Sequence, residues 1–269
     1  MYIVRRASTV LATIVVAALT ANASAQTASS IPSYYDHNRF NLTSPSAQTT
    51  PSGGFTNPAG YGWLDGFSGQ FGWSNTLDRI DKAEQWGLFT GFSHVGFGMI
   101  ENRTVALNNG TGEVQDMRVA LIDHHWSTTV GLAYGWSSGA DESLGRSDIV
   151  QVGVMHQVGR WMRFGAVGNF AVDSPDRTGL LDLAIRPLGR WLTLFGDTEL
   201  RRAVSATDSP WSAGVLFEGI RAIQLSGRYF SDESIAFAVS LNFYGLWLTG
   251  SPGYNQDRNR TSTTYDVRF

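Results

Sequence analysis

The chain has 269 residues, of which 16% are charged and 42% hydrophobic, with a formal net charge of -3 and no cysteine. A balance on the acidic side is not the footprint of a nucleic-acid binder, which shows a clustered basic face. The absence of cysteine excludes disulfide scaffolds, thiolate metal sites, cysteine nucleophiles and a lipid-modified cysteine.

Water-soluble domains carry about 25% charged residues, so low charge with 12% aromatics and 30 glycines fits an apolar exterior with many tight turns. Residues 1–25 read as an export signal. Arg5 and Arg6 form a positive start, 11–19 is a short apolar run, and Ala23-Ser24-Ala25 is a small-x-small cleavage site. The apolar run is shorter than the roughly 20 residues a spanning helix needs. The expected mature chain begins at Gln26 and lies beyond the inner membrane.

Residues 26–64 form the second region. Its stretch 26–56 is rich in Ser, Thr, Pro and Gly and has no period of 2 or 3.6, the composition of a flexible tail or an irregular plug.

From about residue 65 the pattern changes to short runs of period 2. Phe67, Phe71 and Trp73 alternate with Ser68, Gln70 and Gly72. Met117, Val119 and Leu121 oppose Asp116, Arg118 and Ala120. Val130, Leu132, Tyr134 and Trp136 share a face, as do Val150, Val152 and Val154. Further runs are centred on Phe164, Leu183, Val215, Leu225 and Val239, and the last places Tyr265, Val267 and Phe269 together. The opposing positions are mostly Gly, Ser, Ala, Asn and Gln with isolated Arg and Asp. Trp63, Trp73, Trp86, Trp126, Trp136, Trp161, Trp191 and Trp211 fall near run ends, as two aromatic girdles at membrane interfaces would. Connections at 102–113, 137–147, 172–178 and 202–210 read as long and polar. Those at 123–125, 157–160, 187–190 and 218–221 read as short.

These features predict an all-β fold, an antiparallel transmembrane β-barrel over 65–269 with an irregular segment before it. An even strand count keeps both barrel ends on one side. Splitting 85–101 into two strands near 85–92 and 93–101, and taking 244–249 as a separate strand, gives 14. Bent single strands in those places give 12. The final strand, with Tyr265, Val267 and Phe269 on one face, matches the terminal signal of outer-membrane proteins. That resemblance implies recognition by the barrel-assembly machinery, with outer-membrane lipid around the finished barrel.

The segment 56–64, with Asn57, Pro58, Ala59 and Gly60 at its head, resembles the Asn-Pro-Ala motif that precedes the first strand in FadL/PorV-type barrels. The stretch 186–194 followed by Asp197 is similar to a recurrent turn of that group. The resemblance implies a 14-stranded barrel with an N-terminal hatch. Its cargo would be hydrophobic small molecules, or its partner a component of a secretion system. Asn-Pro and Ala-Gly are also plain turn chemistry.

Candidate site residues are the inward charges Asp116, Arg118, Arg163, Asp182, Arg186, Asp197 and Arg228. They make either a polar path or an ion-pair network that fills a closed core. Asp123, His124 and His125 fall at an expected turn, and adjacent strand residues face opposite ways, which argues against a shared metal ion. No Gly-x-Ser-x-Gly occurs. The expected protein is therefore neither an enzyme nor a cofactor carrier. It is a passive channel with an apolar lumen wall, or a structural barrel that anchors a periplasmic or surface partner.

Overall fold

The computed structural model describes residues 30–76, 83–107, 110–140, 142–202, 204–205, 207–220 and 222–269. The expected export signal, 1–25, lies outside the described residues. No helix among them is long and apolar enough to cross a membrane.

Fourteen antiparallel strands close into one barrel. They are β1 (Ser68–Thr76), β2 (Gln85–Phe92), β3 (Val95–Leu107), β4 (Gly110–His125), β5 (Thr128–Gly139), β6 (Ile149–Val158) and β7 (Met162–Ala171). The chain continues through β8 (Arg177–Ile185), β9 (Leu192–Arg201), β10 (Trp211–Ile220), β11 (Ile223–Phe230), β12 (Ile235–Phe243), β13 (Leu246–Tyr254) and β14 (Arg260–Arg268). Each strand pairs with its sequence neighbours, and β1 pairs with β14 from Gln70↔Arg268 to Thr76↔Ser262. Beyond it, Gly69 and Phe269 exchange both backbone hydrogen bonds at 2.9 Å. Closure leaves no unpaired sheet edge.

Strand count follows from the two places where the pattern was ambiguous. Residues 85–101 do divide, because Ser93 and His94 turn the chain between β2 and β3. Likewise Tyr244 and Gly245 separate β12 from β13, with φ of 53° and 98°. Positive φ at both central residues is the twist a two-residue hairpin needs. The Asn242 side chain closes this turn by accepting from Gly245 N at 3.0 Å.

Connections on the β1-start side are short, and this is the turn end. The opposite side, with connections such as 202–210 and 255–259, is the loop end. The described residues of one expected loop, 102–107 and 110–113, are instead strand. β3 and β4 stay paired through a bulge from Val105↔Gly112 to Leu107↔Gly110, so this hairpin is longer than its neighbours. The expected turn at 123–125 is also strand, and the chain reverses at Trp126 and Ser127.

Alternation sorts the side chains as the pattern requires. Phe71, Leu88, Val119, Leu132, Val215, Phe237 and Leu248 stand on the outside, with Leu121 62% exposed. Gln70, Asp116, Gln151, Asp182, Asp197, Gln224 and Arg228 are buried on the inside. Trp126, Trp161 and Trp191 are exposed at the turn end. Trp73 stacks on Tyr265 and Trp136 on Tyr134 toward the loop end. Trp63 was expected in a girdle but lies within the barrel, its ring 4.9 Å from that of His124.

Candidate functional site

The lumen is filled by residues 30–64. Ser30 sits at the loop end, where its N–H and hydroxyl donate to Asp176 Oδ2 at 2.7 and 3.0 Å and its carbonyl accepts from Ser147 N. A 3-10 turn, Tyr35–Phe40, leads inward. The chain reaches the turn end near Ala47, whose carbonyl accepts from Arg186 at 3.3 Å. A short helix, α1 (Pro51–Thr56), follows. Thr50 caps it by accepting from Gly53 N at 3.0 Å, and Pro51 occupies its first position. A second 3-10 turn, Pro58–Trp63, brings the chain to β1.

The plug fits because the wall opposite it carries glycines. Phe40 lies against the cross-strand pair Gly72↔Gly87, and a Cβ on Gly72 would stand 2.7 Å from its ring. Tyr61 lies against Gly91↔Gly96, where the corresponding distances are 2.6 and 2.3 Å. Asn57, Pro58 and Ala59 occupy a slot at Gly131↔Gly153. A Cβ on Gly153 would come 2.2 Å from Asn57 Oδ1, and one on Gly131 would come 2.5 Å from Ala59 N. Asn57 is fully buried. Its carboxamide accepts from Ala59 N at 3.1 Å and donates to Val154 O at 3.3 Å. Gly60 N in turn donates to Asn57 O at 2.7 Å. Asn57–Gly60 is thus both a turn and a wall contact.

Each of the seven inward charges is found on the lumen face. Arg228 and Asp197 form a direct ion pair at 2.6 Å, and both side chains are fully buried. Around it, Arg228 also donates to Ser212 Oγ at 2.7 Å, Asn41 O at 2.8 Å and Tyr34 Oη at 2.9 Å. Tyr35 donates to Asp197 Oδ1 at 2.7 Å. Burial holds both phenols above their ordinary range, so they stay neutral donors.

The other charges reach toward the plug rather than forming one wall-to-wall network. Arg118 donates to Phe55 O at 2.7 Å and lies 4.2 Å over its ring. Arg163 donates to Thr49 Oγ1 at 3.3 Å and lies 4.4 Å over Trp63. Asp182 Oδ1 accepts from Ser46 N at 2.7 Å. Asp116 accepts from Ser137 Oγ at 2.6 Å on the neighbouring strand. One ion pair, Arg228–Asp197, is thus joined by bonds from the wall charges to plug backbone and to Thr49 Oγ1. The sequence showed which residues face inward but held no signal for what they meet.

His124 and His125 are the last residues of β4. His124 faces the lumen and its Nδ1 lies 2.8 Å from Thr129 Oγ1, while His125 faces out. His156 is on the outer face, paired with Thr128 Oγ1 at 2.7 Å.

The plug does not seal every side. Between it and β10–β14 a cavity of about 310 Å³ opens at the loop end, lined by Tyr35, Leu42, Phe230, Ile235, Tyr254 and several Ser and Thr hydroxyls. Beneath it lies a second space of about 40 Å³, lined by Gln48, Gln70, Gln224, Ser240, Asp266 and Arg268. Arg39, Leu42, Ser251 and Thr264 border both. The upper part of this crevice presents mostly apolar surface with hydroxyls among it, in keeping with an apolar lumen wall, and its lower part is more polar.

No protein-family model and no curated protein matches the chain. Among solved structures it is similar to mutants of the porin of Rhodopseudomonas blastica. A triple mutant is 10% identical with a TM-score of 0.46, covering 76% of this chain and 98% of that one. A second mutant is 11% identical with a TM-score of 0.47 over the same shares.

Proposed function

We propose that the chain is a bacterial outer-membrane barrel that closes its own lumen with residues 30–64 and passes small solutes along the β10–β14 side. The observation that carries this reading is the asymmetry of the plug. On β1–β9 it is seated in glycine notches and held by buried polar bonds. On the opposite side it is tied by Arg228 and Gln224 of β11 but otherwise faces two stacked cavities. A cavity near 300 Å³ is at the lower end of small-molecule sites, and the lower space is on the scale of one or two waters. A modest shift of 39–48 away from β11–β14 would join the two and open a route. Because the lower part is lined by amides, hydroxyls and charges, the favoured cargo is polar rather than hydrophobic.

The outward apolar band and its two rings of tryptophan support the membrane setting, since indoles favour the headgroup level. The resemblance of Asn57-Pro58-Ala59-Gly60 and the terminal Phe269 to FadL/PorV-type barrels fits the same setting, export and assembly included. A second reading, a structural barrel that anchors a partner, is favoured by one observation: the fully buried Arg228–Asp197 pair fixes the plug at the very level where a path would begin.

One experiment separates the two. Gln48 Nε2 donates to Gln224 Oε1 at 2.8 Å across the crevice, and the chain has no native thiol. In planar bilayers, the Gln48→Cys/Gln224→Cys double variant should be silent when bridged by a short bis-methanethiosulfonate cross-linker, which spans the length of the two lost amide side chains, and should conduct once the bridge is reduced. Silence in both states, with the wild type also silent, would favour the structural role.

A further inference from the structure

The two cavities share the border residues Arg39, Leu42, Ser251 and Thr264, so a route that joins them passes a neck at these residues, and Arg39 is the one charged group common to both linings. Four other lumen arginines are occupied by the plug, while Arg268, in the lower space, has Asp266 beside it. Arg118, Arg163, Arg186 and Arg228 each donate to plug atoms. Arg39 is exposed to the crevice and makes no hydrogen bond or ion pair among the described residues.

The carboxylates of the crevice are placed differently. In the upper cavity, Asp232 Oδ1 accepts from Ser234 N at 3.0 Å and Ser234 Oγ at 2.6 Å, which ties it into its own turn. In the lower space, Asp266 stands two residues from Arg268 on the same inward face of β14, so its charge has a cation beside it. Around the neck itself stand hydroxyls. Thr264 Oγ1 donates to Ser74 Oγ at 3.0 Å and is fixed by that bond. A guanidinium with no protein partner among the described residues, in a narrow, partly apolar passage, focuses its field on whatever enters. It also offers planar forked donors to an oxyanion.

We propose that the neck at Arg39 is a binding and selectivity site for small anions, with carboxylates and inorganic oxyanions as the ligand class. This rests on the crevice being the water-filled route described above. An anion arriving from the loop end exchanges part of its hydration for the Arg39 guanidinium and the wall hydroxyls. A cation of the same size meets repulsion at the border the two cavities share.

Because the chain lacks cysteine, a single thiol can report on the neck. Leu42→Cys places it on the plug side and Ser251→Cys on the wall side, each a small change at a non-charged position. In the folded full-length barrel, the rate of modification by an anionic methanethiosulfonate (sulfonatoethyl) is compared with that by a cationic one (trimethylammonioethyl). Each rate is corrected for its value on a free small thiol. The anionic reagent is expected to be favoured roughly tenfold, the size of one unit charge acting across a few ångströms of partly screened protein. Arg39→Gln should bring the ratio near one and Arg39→Glu should invert it. An anionic preference that survives Arg39→Gln overturns the site while leaving the crevice intact, as do equal rates with Arg39 present. If neither thiol is modified, the crevice is not open to water and the proposed route falls with it.

Discussion

Arg228 is the residue on which the most contacts converge. Its guanidinium is shared between the wall, through Asp197 and Ser212, and the plug, through Asn41 and Tyr34. A buried pair of this kind stabilises less than its short distance suggests, because both charges lose their hydration. Removing one partner is different, since it strands the other. Arg228→Ala leaves the Asp197 carboxylate buried and is expected to cost about 3–5 kcal/mol. The paired change Arg228→Met with Asp197→Leu should recover most of that loss. Denaturant titration of the refolded barrel in detergent measures both. If the single and the paired variants are equally destabilised, the cost lies in the contacts to Asn41 and Tyr34 rather than in the stranded charge.

At the scale of elements, the plug is held by shape as much as by bonds. Gly131 and Gly153 face each other on β5 and β6; backbone of Pro58 and Ala59 fills the space a side chain at Gly131 would take, and the Asn57 and Pro58 side chains fill that at Gly153. Backbone cannot step aside as the end of a side chain can. Gly131→Val is therefore expected to evict the Pro58–Trp63 turn while the outward face of β5 and its pairing remain. The checks are new protease cuts within 30–64 and raised bilayer conductance, with the heat-modifiable gel shift unchanged. Gly250→Ala is the control, because nothing lies within 4 Å of its added carbon. Loss of the folded band itself would mean that the plug is needed to hold the barrel, not merely to fill it.

The same elements show what was legible beforehand. Strand alternation is a two-residue code set by the pleat, so the facing of Val119 against Arg118, or of Val215 against Ser212 and Leu216, could be read directly from sequence. The split at Ser93–His94 and at Tyr244–Gly245 was legible through counting. The extension of β3 to Leu107 and of β4 back to Gly110 was not, because Asn102, Arg103, Thr104, Thr111 and Glu113 lie in these paired strands at the loop end, and such polarity reads as loop. The path of 30–64 was not legible either. A plug has no period, and its seats are distant glycines whose meaning appears only when Phe40, Asn57 and Tyr61 are set against them.

For the whole molecule, closure is the step that turns fourteen short hairpin-linked strands into one stable object, and it depends on the last residue. Phe269 exchanges two backbone hydrogen bonds with Gly69. Its carbonyl also accepts from Ser68 Oγ at 2.9 Å, and its ring lies against Gly69 and near Phe67. The backbone bonds do not require a phenyl ring, whereas recognition by an assembly machinery, under the outer-membrane reading proposed above, would. Phe269→Ala should therefore lower the amount of folded barrel in cell envelopes several-fold. The same variant refolded from denaturant into detergent should keep its denaturation midpoint close to that of the wild type. Equal losses in both settings would assign the ring to the seam itself. Deleting Phe269 altogether removes the two backbone bonds as well, so it should destabilise the refolded barrel where Phe269→Ala does not. The contrast between substitution and deletion thus separates what the final residue contributes to closure from what it contributes to delivery.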